Sequence, residues 1–414
     1  MRHHPFHWNK VILLTSFLTV FVSFSIRSGF GILLPEIMDA LALTKAQAGY
    51  IGSAYFVSYM VFAPLLGILT DKIGGRKVIT TFCIVLAAGT VLMGWITYLW
   101  MACLFHSIVG VGAAACWAPV SALLQKWFSE RQRGMALGIL TVGAYLGPAM
   151  MGLLLPRLLF GYGWRFSWFL LGLLALIMVP TNGLLLRSKP EDVSIKVQSE
   201  VSSLGTSMSQ IDYRGMLKTS KFWLIGTSYL AMSFATNIAY IFLVTYTTLE
   251  LKMGYAVASM LVTVWALCGI LGALIFPALS DRLGRRRTLA VSNLMLAFSF
   301  SAFVLFKSDA FLLTLSVVAL GLFEGGIWPI YAACAADYFS SSVAGTVMGF
   351  WTTLYGLGAM ISPPIAGYLA DFYGTFFWSF VMSSIVAMVA TLLILRVKDP
   401  SRFHASGIYD MQQS

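Results

Sequence analysis

The sequence predicts an all-α membrane protein: twelve transmembrane helices arranged as two pseudo-symmetric six-helix bundles. Three observations predict it. Of the 414 residues, 59% are apolar and only 10% charged, where a soluble domain carries about 25% charged residues, and the mean hydropathy is +0.83. Apolar runs long enough to cross a bilayer recur along the chain. A loop sequence from the first half returns in the second at a nearly constant offset.

A helix needs about 20 apolar residues to cross the hydrocarbon, where a spanning segment has to bond its own backbone. Such runs lie near 11–35, 47–70, 77–97, 99–125, 134–157 and 164–186 (spans 1 to 6), then near 222–246, 254–279, 288–306, 310–337, 344–370 and 376–396 (spans 7 to 12). The first run has no small-residue cleavage site, so it reads as a retained helix and not as a signal peptide. The expected organisation is an N-terminus 1–10, a bundle 11–186, a middle loop 187–221, a bundle 222–396 and a tail 397–414. The middle loop is rich in Ser, Lys and Glu and shows no apolar periodicity.

Lys and Arg set the orientation. Of the 27, Arg27 lies inside span 1 and only Lys45, Arg157, Arg165, Lys252 and Lys307 fall on one side; the other 21 fall on the opposite side, with both termini and the middle loop. That side is expected to be cytoplasmic, in a cell (inner) membrane. The net charge of +11 thus follows from topology and calls for no nucleic acid. The five cysteines sit inside apolar runs without metal or disulfide spacing and read as small apolar side chains. No Asn-x-Ser/Thr acceptor occurs, which fits a bacterial chain. No Walker loop, His/Cys cluster or nucleophile elbow is found, so no enzyme chemistry, metal or cofactor is expected.

The repeat is specific. The loop after span 2 reads GILTDKIGGRK, with Asp71, Gly74 and Arg76; the loop after span 8 reads PALSDRLGRRR, with Asp281, Gly284 and Arg286, 210 residues on. The end of span 4 (Trp117, Trp127, Phe128) matches the end of span 10 (Trp328, Tyr338, Phe339) at 211. Both loops resemble the signature loop of the major facilitator superfamily, and the likeness extends over roughly 11–396. Span 5 adds Gly134, Gly143, Gly147, Pro148 and Gly152, close to a Gly-Pro pattern of that superfamily, with Met151 in place of the second terminal glycine. Span 4 carries His106 where the family usually has an arginine. The stretches KWFSERQRGMALGI and GYGWRFSW resemble bacterial carriers close to the oxalate/formate and monocarboxylate transporters, although the second basic residue those carriers use in span 8 or 11 is absent.

The resemblance implies a secondary transporter with its cavity lined mainly by spans 1, 4, 7 and 10, working by alternating access. Two ionisable residues lie well inside apolar spans: Arg27 in span 1 and Glu324 in span 10. Charges there cost about 2.5–3.5 kcal/mol on insertion scales and face a wet cavity or a partner. Arg27 offers a donor fork for a carboxylate, sulfonate or phosphate; its structural alternative is a pairing with a carboxylate or with carbonyls near Gly29 and Gly31. Its counterpart in the repeat is Asn237, with Tyr240 on the same face. Glu324 reads either as a proton carrier, as a counter-ion of Arg27, or as a group hydrogen-bonded within span 10. Trp328 and Tyr331 share its face, and they and Trp117 read either as binding wall or as packing. His106 is expected either to titrate or to bond carbonyls of span 1. Asp71 and Asp281 are expected to gate or brace the signature loops.

The expected function is proton-coupled transport of a small organic anion, monocarboxylate-like, by a monomer driven by the proton gradient. The alternative is a proton-coupled efflux antiporter for lipophilic or cationic compounds, favoured by the aromatic face and opposed by Arg27. A non-transporting sensor is expected to need an output domain, for which the tails and middle loop are short.

Overall fold

A computed structural model describes residues 8–190 and 213–398. Most of the expected N-terminus, the bulk of the middle loop and nearly all of the tail therefore lie outside the described residues, and residues 8–10 belong to the first helix. The helices are α1 (Trp8–Leu41), α2 (Lys45–Ile73), α3 (Gly75–Met93), α4 (Leu99–Ala113), α5 (Ala118–Trp127), α6 (Glu130–Leu185), α7 (Tyr213–Lys218), α8 (Ser220–Thr245), α9 (Tyr255–Leu283), α10 (Arg285–Leu305), α11 (Ala310–Tyr338), α12 (Ser341–Tyr373) and α13 (Phe377–Leu395). No strand occurs among the described residues.

Ten helical segments are long and apolar enough to cross a membrane. One of them, Gln132–Leu185, has 54 residues, or about 80 Å at 1.5 Å per residue, against a core of about 30 Å. It breaks at Gly163 (φ 82°, ψ 168°), so it supplies spans 5 and 6. Span 11 is α12, 33 residues long. The twelve expected spans are thus present. Most helices run past their apolar runs, because backbone bonding continues into the polar ends while hydropathy marks only the lipid-facing length. Two local features depart from expectation. Span 4 is interrupted between α4 and α5, just before Pro119, whose ring and missing N–H disfavour a continuous helix. Six residues of the expected middle loop form α7.

The signature turns need glycine. Gly74 (φ 91°) and Gly284 (φ 95°) link α2 to α3 and α9 to α10 as single residues, a backbone that L side chains rarely adopt. The repeat extends to packing. In the first bundle α1 packs on α6, α2 on α4 and α3 on α6; in the second α8 packs on α12, α9 on α11 and α10 on α13. These are spans 1·5, 2·4 and 3·6 against 7·11, 8·10 and 9·12. Arg76 Nε donates to the Gly183 carbonyl at 2.9 Å near the end of α6, and Arg286 donates to the Leu395 carbonyl at the end of α13. Each signature arginine thus ties its turn to the last helix of its own half.

The halves meet through α2·α12, α6·α9 and α1·α8, and their contacts gather at the end opposite the signature turns. There Gly49 lies against Pro363 and Pro364, and Gly152 against Ser259 and Thr263. Ser53 Oγ donates to the Met360 carbonyl at 2.5 Å, and Thr263 Oγ1 to that of Ala149 at 2.7 Å. Toward the signature turns, Gly67 of α2, Gly134 and Gly138 of α6, and Gly345 and Gly349 of α12 have open space where a Cβ would stand. The described hydrogen bonds and close glycine contacts that join the halves lie at the end away from the signature turns.

A charged clasp completes the joined end. Asp371, at the end of α12, accepts from the Lys45 and Ala46 backbone N–H groups at 2.9 and 2.8 Å, and so caps the N-terminus of α2 from the other half. A carboxylate there meets free amides and the positive end of the helix dipole. Lys45 Nζ pairs with Glu250 at 3.0 Å, and Glu250 also accepts from Thr375 Oγ1 (2.6 Å) and the Phe376 amide (2.8 Å). Asp371→Ala is expected to raise hydrogen exchange of the first-turn amides of α2 at least about tenfold, equivalent to about 1.4 kcal/mol. Asp309→Ala, which removes a cap on α11 within one half, should leave those amides unchanged; equal effects of the two would refute the clasp.

Candidate substrate site between the two halves

Arg27 stands in α1 where the halves meet. Its guanidinium carbon lies 4.8 Å from the ring centre of Tyr240 (α8), 5.0 Å from Phe56 (α2) and 5.6 Å from Phe24 (α1). These faces attract a cation. An Nη donates to Asn237 Oδ1 at 3.4 Å, a long and therefore weak bond. Nε is buried with no hydrogen-bond partner, as is the Tyr240 hydroxyl. None of the four ion pairs among the described residues involves Arg27. The cation is held by aromatic faces and keeps donor capacity in hand.

Arg27 and Asn237 are 210 residues apart, the offset of the repeat. Gly31 and Ile241, separated by the same interval, are also in contact. Counterpart positions touch only near the axis that relates the halves, so Arg27 stands beside that axis. Asn237 is braced from below: its Nδ2 donates to the Ser233 carbonyl at 2.9 Å and to Tyr355 Oη at 3.4 Å.

Glu324 of α11 is partly accessible and forms no ion pair among the described residues. Tyr145 Oη donates to its Oε2 at 3.3 Å. Tyr145 comes from α6, in the other half, and its ring lies where a side chain on Gly269 of α9 would stand. Of the three alternatives for Glu324, a direct ion pair with Arg27 is absent among the described residues, and each hydrogen-bonds a different partner. Tyr145 was not foreseen, although a signal existed: it is the counterpart, at 210, of Tyr355.

The remaining residues separate into groups. Trp117, at the interruption of span 4, meets Phe24 edge-on at 5.8 Å. Trp328 meets Tyr355 edge-on at 4.4 Å. Both are partly accessible. Tyr331 is fully buried inside the second bundle; its hydroxyl bonds Ser228 (2.6 Å) and Asn293 (3.3 Å), and its ring stacks on Tyr229. His106 is also buried. Its Nδ1 donates to the Ile51 carbonyl of α2 at 2.8 Å instead of to a carbonyl of span 1, while its ring packs on Phe30 of α1 at 4.4 Å. At the signature end, Asp71 lies 3.7 Å from Lys126 but is 76% exposed, a weak pair. Arg285 joins Asp281 (2.5 Å) and Asp337 (2.7 Å).

Twelve spans in two repeated halves, joined at one end and with a cation beside the shared axis, define a multi-pass membrane transporter. The chain matches the model of the Major Facilitator Superfamily over residues 16–258 and 225–407, and it belongs to that family. It is 26% identical to the hexuronate transporter of Bacillus subtilis, over 94% of each chain. It is 23% identical to a probable sulfoacetate transporter of Cupriavidus necator, over 91% of each, and 24% identical to a membrane sensor protein of Salmonella typhimurium, over 94% of this chain and 91% of that one. A solved bacterial homologue of the lysosomal transporter Spinster superposes with a TM-score of 0.77 at 15% identity, covering 94% of this chain and 97% of that one, which supports the fold.

Tyr145→Phe removes one hydrogen bond to a carboxyl group, and a cost of about 1 kcal/mol is expected, read as a small fall in Tm. Gly269→Leu displaces the same ring and should lower Tm further. A Tm unaffected by either change would show that Tyr145 does not join the halves.

Proposed function

We propose that this protein is a proton-coupled secondary transporter of a small organic anion, monocarboxylate-like, acting by alternating access as a monomer in a bacterial inner membrane. The observation that carries the reading is Arg27: a cation beside the axis between the halves, with a buried unpartnered Nε and, among the described residues, no carboxylate within ion-pair distance. A carboxylate or sulfonate supplies the acceptors such a fork lacks. The names of the hexuronate and sulfoacetate relatives support an anion. On the charge bias of the loops the signature end is read as cytoplasmic, and the contacts that join the halves at the other end support a state that admits substrate from the cytoplasm toward Arg27. No cofactor is required; the energy source is the proton gradient.

Glu324 is the proposed proton carrier. It is the carboxyl inside the spans at the seam between halves, and it is bonded to a neutral phenol instead of a cation. A site that alternately holds and releases a proton is best left without a fixed counter-ion. The efflux-antiporter reading keeps one observation in its favour, the aromatic faces around the seam. It requires a cationic or neutral substrate to settle beside Arg27, which repels the former.

Reconstitution in liposomes tests both parts, using the organic acid that most raises Tm in a screen of small acids. Arg27→Ala is expected to lower uptake at low substrate concentration about 10- to 100-fold, the loss of a charged hydrogen-bonded contact; undiminished uptake refutes the binding role. Glu324→Gln is expected to abolish accumulation driven by an acidic exterior while retaining exchange across the membrane. Accumulation equal to that of the unmodified protein would remove Glu324 from coupling. Absence of any transport, with binding intact, would favour a sensor.

A further inference from the structure

Beside Arg27 stand two phenols that the fold itself does not use. Tyr55 and Tyr59 are one turn apart on α2, and their rings stack with centroids 6.0 Å apart and planes 16° apart, so both side chains lie on one face of the helix. Phe56, the neighbour of Tyr55, lies 5.0 Å from the guanidinium carbon, and both phenols lie within electrostatic range of Arg27. The Tyr55 ring is backed by His106 at 5.2 Å, which the Ile51 carbonyl holds in place. Among the described residues neither the Tyr55 nor the Tyr59 hydroxyl makes a hydrogen bond, and solvent reaches both oxygens. The other phenols near Arg27 differ. The hydroxyls of Tyr145 and Tyr355 are bonded to Glu324 and Asn237, and that of Tyr240 is buried. The repeat marks the pair as a divergence: the counterparts of Tyr55 and Tyr59, 210 residues on, are Trp265 and Gly269, which carry no hydroxyl.

Arg27 can only donate, whereas a phenol both donates and accepts. The two kinds of group suit different parts of one ligand, an anionic head at Arg27 and hydroxyls on the body at α2. We infer that Tyr55 and Tyr59 are specificity-determining residues that select a hydroxylated organic anion over its unsubstituted analogue. This rests on the reading of Arg27 as an anion site. The physical reason is the cost of a polar group left without a partner. Phenols reached by solvent bond water until a ligand arrives. An apolar body displaces that water and returns nothing, while a hydroxylated body replaces each lost bond. A site built to bond a hydroxyl rejects the analogue lacking it more strongly than an apolar pocket rejects an added group.

Calorimetric titration of the purified protein with cyclohexanecarboxylate, its hydroxylated derivative quinate, and glucuronate tests this. All three are monoanions built on a six-membered ring. At least one of the two hydroxylated acids should bind about tenfold or more tightly than cyclohexanecarboxylate, a difference of about 1.4 kcal/mol. Tyr55→Phe and Tyr59→Phe keep the rings. Each should weaken the hydroxylated acid about 3- to 10-fold, the range for one hydrogen bond, yet bind cyclohexanecarboxylate no less tightly, since no hydroxyl is then stranded. Arg27→Gln should abolish binding of all three. Variants that weaken all three acids alike would show that the tyrosines only pack, and overturn the inference. Hydroxylated and unsubstituted acids binding equally, and both lost in Arg27→Gln, overturn it too but leave the anion reading standing. Binding of a hydroxylated acid that survives Arg27→Gln overturns the anion reading and the inference with it. Failure of the unmodified protein to bind either hydroxylated acid overturns the inference, while the liposome screen still decides the anion reading.

Discussion

Hydrocarbon offers no water to a backbone amide, and the rest of this structure follows from that constraint. Every crossing segment is a helix because only a helix bonds its own amides within the segment. The same constraint turns many hydroxyls inward: Thr19, Ser25, Thr70 and Thr90 each bond a carbonyl one turn back. With polar groups used up locally, helices associate by close approach, and small residues permit it. Gly147 lies against the Phe21 carbonyl and Gly325 against that of Gly269. Against this background Arg27 is the exception, a full charge stabilised by aromatic faces and one weak hydrogen bond.

Duplication supplied the frame, and divergence along the axis supplied the chemistry. The three principal helix pairings of the first half recur in the second, as do the glycine turns and the arginines that brace them. The exceptions gather at the seam. Arg27 faces its own counterpart, the neutral Asn237. Glu324 replaces a small apolar residue, Ala113 in the alignment of the halves. Tyr145 and Tyr355, which are counterparts, take different partners: a carboxylate from the opposite half and an amide from its own. A symmetric pair of bundles thereby acquires a cation and a carboxylate that make no direct ion pair with each other.

The joining of the halves at one end has a physical basis. Asp371 of α12 and Glu250, in the segment after α8, join the other half at Lys45 and Ala46 of α2 through charge-assisted bonds, which are stronger than neutral ones and form only when the halves meet there. At the signature end the ion pairs stay within one half: Asp71 with Lys126, Arg285 with Asp281 and Asp337. Those contacts stiffen each bundle without bridging the seam. Such an arrangement suits a molecule whose halves pivot as units about the region of Arg27.

Much of this was legible in the sequence because lipid makes the code coarse. Helix number, the paired halves, the signature turns and the two charges inside spans are local or periodic properties, written in runs of apolar residues and in a repeated loop. Partner choice is not local. Nothing in the order of residues indicated that Glu324 would meet Tyr145 and not Arg27, that His106 would bond α2, or that Tyr331 would turn into its own bundle. Those outcomes depend on how each helix is rotated about its axis, and packing against neighbours sets that rotation. The break in span 4 was marked by Pro119 yet hidden by the continuous apolar run around it. The sequence by itself determined a duplicated twelve-helix membrane protein with one cation and one carboxylate well inside its spans. Only the tertiary structure decided what surrounds that cation, because three aromatic rings and an amide from three helices converge there through contacts between residues up to 213 positions apart.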